Sequence, residues 1–160
     1  SAWVVVQPIE EKVLEQRAHG VAVMTSPRLW HVAEELPAKT LNYAATMAML
    51  RMAREKGFED LILTDPDTGE ILEGATSTVV AVKGEKLRTA AGRGILPGTT
   101  QAYRCKAKPL TVEYLEKADS VWLVSSVRVA ARVTRLNDKK LKAPDNVDVI
   151  RDLIDKALGD

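Results

Sequence analysis

The stretch Ile71-Leu72-Glu73-Gly74-Ala75-Thr76-Ser77-Thr78 decides how this chain is read. It sets one acidic residue between an apolar pair and a glycine, so Glu73 reads as the end of a strand rather than part of a charge run. Thr76 to Val82 follows, rich in β-branched residues, and predicts the next strand. Two further segments flank it. Lys39-Thr40-Leu41-Asn42-Tyr43 lies upstream, and Gly94-Ile95-Leu96-Pro97-Gly98-Thr99-Thr100 lies downstream.

Outward from this centre the pattern alternates between short strands and helices. Leu61 to Thr64 predicts a strand, Asp65-Pro66-Asp67-Thr68-Gly69 a tight turn, and Glu70 to Glu73 the returning strand. Lys83-Gly84-Glu85 closes a hairpin onto Lys86 to Thr89. Upstream, Ala2 to Gln7 reads as a short buried strand ended by Pro8. Glu10 to Ala18 reads as a charged helix or turn closed by Gly20, and Val21 to Met24 as a strand. Lys39 to Lys56 is the clearest helix, with Leu41, Ala45, Ala48, Met49 and Met52 sharing a face and Gly57 at a C′ position. Downstream, Val112 to Ala118 predicts a short helix, Val121 to Ser125 a buried strand, and Val127 to Leu136 another. Asn146 to Leu158 predicts an amphipathic helix with Val149, Leu153, Ile154 and Ala157 on one face. Without regular βα alternation, the fold class is α+β rather than a doubly wound sheet.

Composition narrows the function classes. The 160 residues suit one domain, and the chain is 46% apolar and 28% charged. Such a length buries about 68–70% of the surface its unfolded chain exposes. A formal net charge of +1 gives no bulk attraction to nucleic acid or to a membrane surface. No apolar run approaches the roughly 18 residues of a membrane span. The start, Ser1-Ala2-Trp3-Val4, lacks the basic region of a signal peptide. Cys105 is the single cysteine, so no internal disulfide forms, which fits a reducing cytoplasmic location. His19, His31 and Cys105 have no metal-ligand spacing, and no metal is expected.

The three marked segments supply an amine, a carboxylate and a turn rich in backbone N–H groups. That set suits an aldehyde cofactor bearing a pyridine ring and a phosphate. Lys39 would carry it as a Schiff base and, once displaced by a substrate amine, would move the Cα proton. The amine must be neutral part of the time for this, which burial favours. Glu73 would face the pyridine nitrogen and favour its protonated form. Thr99 and Thr100 would donate to the phosphate from this turn, the more so if a helix begins at its end. Ser125-Ser126 adds two hydroxyls at the end of an apolar strand. One of Arg128, Arg132 and Arg135, Arg128 first among them, would meet a substrate carboxylate in bidentate fashion, and the sequence leaves open which. Each residue alone has an ordinary explanation: a surface lysine, a solvated glutamate, a Pro-Gly turn, a strand cap. Their order and company favour the cofactor.

From Ala2 almost to Lys140, these motifs resemble the class IV aminotransferase and aminodeoxychorismate lyase family (fold type IV). The resemblance implies that Lys39, in Lys-x-x-Asn with Asn42, carries pyridoxal 5'-phosphate. It implies that Glu73, in Glu-Gly-x-(Ser/Thr)-Ser, pairs with the pyridine nitrogen. Thr99 and Thr100 would hold the phosphate, with Ser126 completing the cup, and Tyr43 would lie near the ring hydroxyl. The runs from Glu73 to Val80 and from Trp122 to Val133 most resemble actinobacterial sequences of the aminodeoxychorismate lyase type. Thr78 stands where most relatives have Asn, a departure that the actinobacterial group shares.

The fold so implied is the family's large C-terminal domain, a mixed sheet or pseudo-barrel with flanking helices. Residues 1–160 would form one PLP-binding domain lacking the family's small N-terminal domain. Only Gln101 and Ala102 separate Thr100 from Tyr103-Arg104-Cys105, where the family has a helix of several turns, so a fragment or a contracted sequence is expected. The implied reaction is a lyase step of folate biosynthesis, converting 4-amino-4-deoxychorismate to 4-aminobenzoate and pyruvate. The alternatives are an aminotransferase acting on branched-chain or D-amino acids, or a truncated non-catalytic domain. The implied partners are a small amino-acid-like substrate and a second copy of the chain in a homodimer.

Overall fold

The computed structural model describes residues 2–30, 43–92, 94–96 and 105–159, with the side chains of the last helix described as far as residue 153. Helix α1 (Glu11–His19) ends at Gly20, whose φ of 83° is left-handed. Strand β1 (Val21–Pro27) follows directly. Helix α2 (Ala44–Glu55) closes in a Schellman motif: Gly57 N–H donates to Arg54 O and Phe58 N–H to Ala53 O. Strands β2 (Asp60–Thr64) and β3 (Ile71–Gly74) are joined by the expected turn, in which Asp65 Oδ1 accepts from the N–H groups of Asp67 and Thr68. Those two donors hold the Asp65 carboxyl below its ordinary pKa.

Strands β4 (Thr78–Lys83) and β5 (Lys86–Thr89) make the predicted hairpin, with Lys83 opposite Lys86. The short strand β6 (Lys106–Ala107) and helix α3 (Val112–Glu116) lead into β7 (Ser120–Ser125). Strand β8 (Val129–Leu136), the two-residue β9 (Lys139–Lys140) and helix α4 (Val147–Gly159) complete the described elements.

The strands form one nine-stranded sheet in the order β3-β2-β1-β8-β7-β4-β5-β6, with β9 beside β8. Strand β1 runs parallel to both its neighbours, β5 and β6 are also parallel, and the remaining pairs are antiparallel. The sheet curls into a half-barrel with helices on its flanks, which agrees with the α+β expectation. Alternation along each strand separates the core by face. Val21, Val23, Ile62, Ile71, Val79, Leu123 and Val133 fill the inner face. Val80, Trp122, Val124 and Ala130 pack on the other face against Ile150 of α4. Leu61, Leu63 and Leu72 meet Leu50 and Ala53 of α2. Each such fully buried side chain stabilises the fold by about 1.5–3 kcal/mol.

Three expectations are corrected. Residues 2–10 form neither helix nor strand, and Trp3, Val4 and Val6 are exposed. A strand needs a free edge, and both edges of nearby β1 are taken by β2 and β8. In α2 the buried face is Thr46, Leu50 and Ala53, with Met49 partly covered, while Ala48 is exposed. The sheet, not the helix's own apolar count, selects that stripe. In α4, Ile150 and Val147 pack inward, whereas Val149 and Leu153 are exposed.

Gly20 links α1 to β1 at a point where a Cβ would fall inside contact distance of the Arg132 carbonyl oxygen. Gly57, also left-handed at φ 78°, has nothing within 4 Å of its would-be Cβ. Urea denaturation should therefore separate them. Gly57→Ala should cost about 1 kcal/mol, the strain of a left-handed alanine, and Gly20→Ala about 3 kcal/mol or more, because the sheet must also shift. Equal losses would contradict the packing described.

Candidate active site

Several strand ends meet at one end of the sheet. The antiparallel register puts the end of β7 beside the start of β4, with Val124 opposite Thr78. The start of β8 lies there too, with Val129 opposite Ser125. Asp60 opens β2, and Gly74 closes β3 opposite Ile62.

Glu73 is half-buried and shares the inner face with Ile71, by strand alternation. Its Oε2 lies 3.5 Å from the backbone N–H of Leu96, so the described part of the Gly94–Thr100 segment does approach the glutamate. Ile95 packs against both the inner-face core and the α2 core, which fixes that segment between two layers. Arg28, one residue past β1, donates from Nη1 to the Gly94 carbonyl at 2.7 Å. Gly74 N–H donates to Ser77 O at 2.8 Å, making a tight turn in which a Cβ on Gly74 would overlap the Ser77 hydroxyl. Glycine is required there for close approach. Ser77 Oγ is buried and, among the described residues, has no hydrogen-bond partner.

Tyr43 is half-buried at the N-cap of α2, where its carbonyl accepts from Met47 N–H. Ser126 is exposed in the turn between β7 and β8. Lys39, Asn42, Thr99 and Thr100 lie outside the described residues. Arg128 does not stand open as a carboxylate grip: its Nη1 pairs with Asp60 Oδ2 at 2.6 Å, with side-chain exposures of 14% and 1%. Removing one member of such a buried pair typically costs about 3–5 kcal/mol. Asp60 and Arg28 went unremarked in the sequence, and Ser77 was quoted with the Glu73 motif but given no role of its own. Asp60 follows Glu59 and looks like part of a solvated pair; its partner is 68 residues away, so no local pattern marks it.

Cys105 is half-buried, and burial pushes its thiol pKa up. Among the described residues no group of three or more His, Cys, Asp or Glu is placed to hold a metal. Among the same residues no helix is long and apolar enough to cross a membrane.

The family model for class IV amino-transferases matches residues 1–136. A bifunctional aminodeoxychorismate lyase / D-amino acid transaminase of Mycobacterium tuberculosis is 34% identical over 186 aligned residues, covering 99% of this chain and 63% of the relative. A hypothetical aminotransferase from Mycobacterium tuberculosis, solved in a PLP-bound form, superposes with a TM-score of 0.85 at 35% identity, over 95% of this chain and 59% of that one. A fold IV-transaminase from Curtobacterium pusillum gives a TM-score of 0.78 at 34% identity, over 94% and 57%. The chain thus spans less than two thirds of the length of these proteins. With the family model covering most of its length, the chain belongs to the class IV aminotransferase family.

Proposed function

We propose that the chain is the cofactor-holding portion of a pyridoxal-phosphate-dependent lyase. It would convert 4-amino-4-deoxychorismate to 4-aminobenzoate and pyruvate, in the cytoplasm and as a homodimer. The observation that carries this reading is Glu73, held on the inner face beside the backbone N–H of Leu96. Support comes from the lyase activity named for the mycobacterial relative. The name of that relative equally favours a second reading, transamination of D-amino acids by the same residues.

The residues present fit the group. An inner-face carboxylate suits a ring nitrogen, and the buried Ser77 hydroxyl meets no partner among the described residues. The exposed Ser126 hydroxyl, just past the end of β7, suits a phosphate. Bound pyridoxal phosphate would supply an electron sink for the carbanion at the amine-bearing carbon. Lys39 would hold the cofactor and then take the proton from that carbon. Glu73, ionised, would keep a proton on the ring nitrogen. Thr99, Thr100 and Ser126 would hold the phosphate, and Tyr43 would face the ring hydroxyl. In the lyase reaction the enolpyruvyl group leaves, ends as pyruvate, and the carbocycle becomes aromatic. For transamination Lys39 would instead hold that proton and give it back.

Titration with pyridoxal phosphate, borohydride reduction and peptide mapping should place the label on Lys39, and Lys39→Ala should lose it. Label scattered over surface lysines would defeat the reading. Glu73→Gln should lower turnover by about ten- to a hundredfold, the worth of one charge-assisted hydrogen bond. Assay of 4-aminobenzoate against keto acid formation separates lyase from transaminase.

Ser77→Ala, by contrast, removes a hydroxyl that has no partner to lose. It should leave the cofactor-free protein unchanged or more stable by up to about 1 kcal/mol in urea unfolding.

A further inference from the structure

The turn between β7 and β8 is held from three sides. Arg128 N–H donates to Ser125 Oγ at 3.2 Å, closing the turn locally. Arg17, from the last turns of α1, donates from Nε to the Arg128 carbonyl at 2.8 Å and from Nη2 to the Val127 carbonyl at 2.6 Å. The Arg128 side chain reaches back to Asp60, whose other oxygen accepts from Leu61 N–H at 2.8 Å. The turn then ends at Val129 with φ 61°. A β-branched residue in the left-handed region is strained and persists only where its surroundings impose the conformation. Asp60, Arg128 and Arg17 are those surroundings. Ser126 sits between the held residues and is exposed.

A substrate carboxylate that gripped Arg128 would have to displace Asp60 and leave it buried and unpaired, since Asp60 is only 1% exposed. We propose that Asp60, Arg128 and Arg17 form a brace that holds the strained Ser125–Val129 turn and so presents the Ser126 hydroxyl to the cofactor phosphate. Arg128 is then a positioning residue and not the anchor of a substrate carboxylate. This rests on the reading that Ser126 meets the phosphate of pyridoxal phosphate.

The test uses the intact chain titrated with pyridoxal phosphate, with the ³¹P resonance of the bound phosphate as a second readout. Arg128→Met should weaken cofactor binding by about tenfold and shift the resonance, the effect of one misplaced charge-assisted hydrogen bond. Adding Val129→Gly to Arg128→Met should restore most of the affinity and the resonance, because glycine adopts the left-handed turn without a brace. A residue that touched substrate would not be rescued in this way. Should Arg128→Met fail to fold, Asp60→Asn keeps the shape while weakening the same pair, and it is read against Asp60→Asn/Val129→Gly. Wild-type cofactor affinity in Arg128→Met, with a raised KM for the amino substrate, would overturn the brace and return Arg128 to the substrate. Loss of affinity that glycine does not rescue would also overturn it. A wild-type protein that binds no pyridoxal phosphate removes the cofactor reading and the brace together, whereas a binding wild type with an unaltered variant removes the brace alone.

Discussion

Strand β1 is hydrogen-bonded on both sides to parallel partners, and the rest of the structure depends on that double pairing. Val21 and Val23, on the face turned to the core, have no exposed surface, while Ala22 and Met24 on the other face are half-buried. The register with β2 sets Asp60 opposite Val23, and the register with β8 sets Val133 opposite Val21. Val23 also faces Leu136 at the far end of β8, so it is the side-chain pair with Arg128, not the register, that joins Asp60 to the turn that opens β8. At the other end of β1, Arg28 N–H continues the ladder to Thr64 O, and its side chain holds Gly94. Arg28 just past β1 and Asp60 on the neighbouring β2 thus contact segments of the candidate site. Thr25 and Asn137 lock the register further, with Asn137 Oδ1 accepting from Thr25 N–H and Asn137 Nδ2 donating to Thr25 Oγ1.

The elements legible in the sequence were those that declare themselves locally. Gly57 after a helical run, Asp65 to Gly69 between two apolar runs, and Gly84-Glu85 between β4 and β5 each carry their own backbone chemistry. All three sit where that chemistry puts them. What misled was apolar composition without a partner. Trp3 to Val6 has the residues of a buried strand, yet no sheet edge is open beside β1 to receive it. The faces of α2 and α4 were misread for a related reason. Helical spacing offers more than one apolar stripe, and the sheet beneath chooses between them, taking Leu50 and Ala53 in one helix and Ile150 in the other.

The candidate site divides in the same manner. Glu73 was legible because a lone carboxylate before a glycine at a strand end is a local pattern, and it does lie on the inner face near Leu96. Arg128 was legible as a functional-looking arginine, but its partner was not, because Asp60 and Arg17 come from elements far away in the chain. The strain at Val129 is likewise invisible in Val127-Arg128-Val129-Ala130. Its cause is tertiary. The Ser77 hydroxyl stood out only when its neighbours were in place and none of them met it.

The distance along the chain between β1 and β8 also governs the order in which this protein can assemble. The bonds joining them and their flanks, Arg17 to Val127 and Thr25 to Asn137, close separations of 110 and 112 residues. Such closures demand the loop entropy of most of the chain before any contact returns it, which places them late and slow in folding. On a ribosome, β1 and β2 emerge together and can pair early, but the second edge of β1 stays bare until β8 has been made. For that interval Val21 and Val23 line an open parallel edge, the kind of surface that recruits chaperones or other nascent strands.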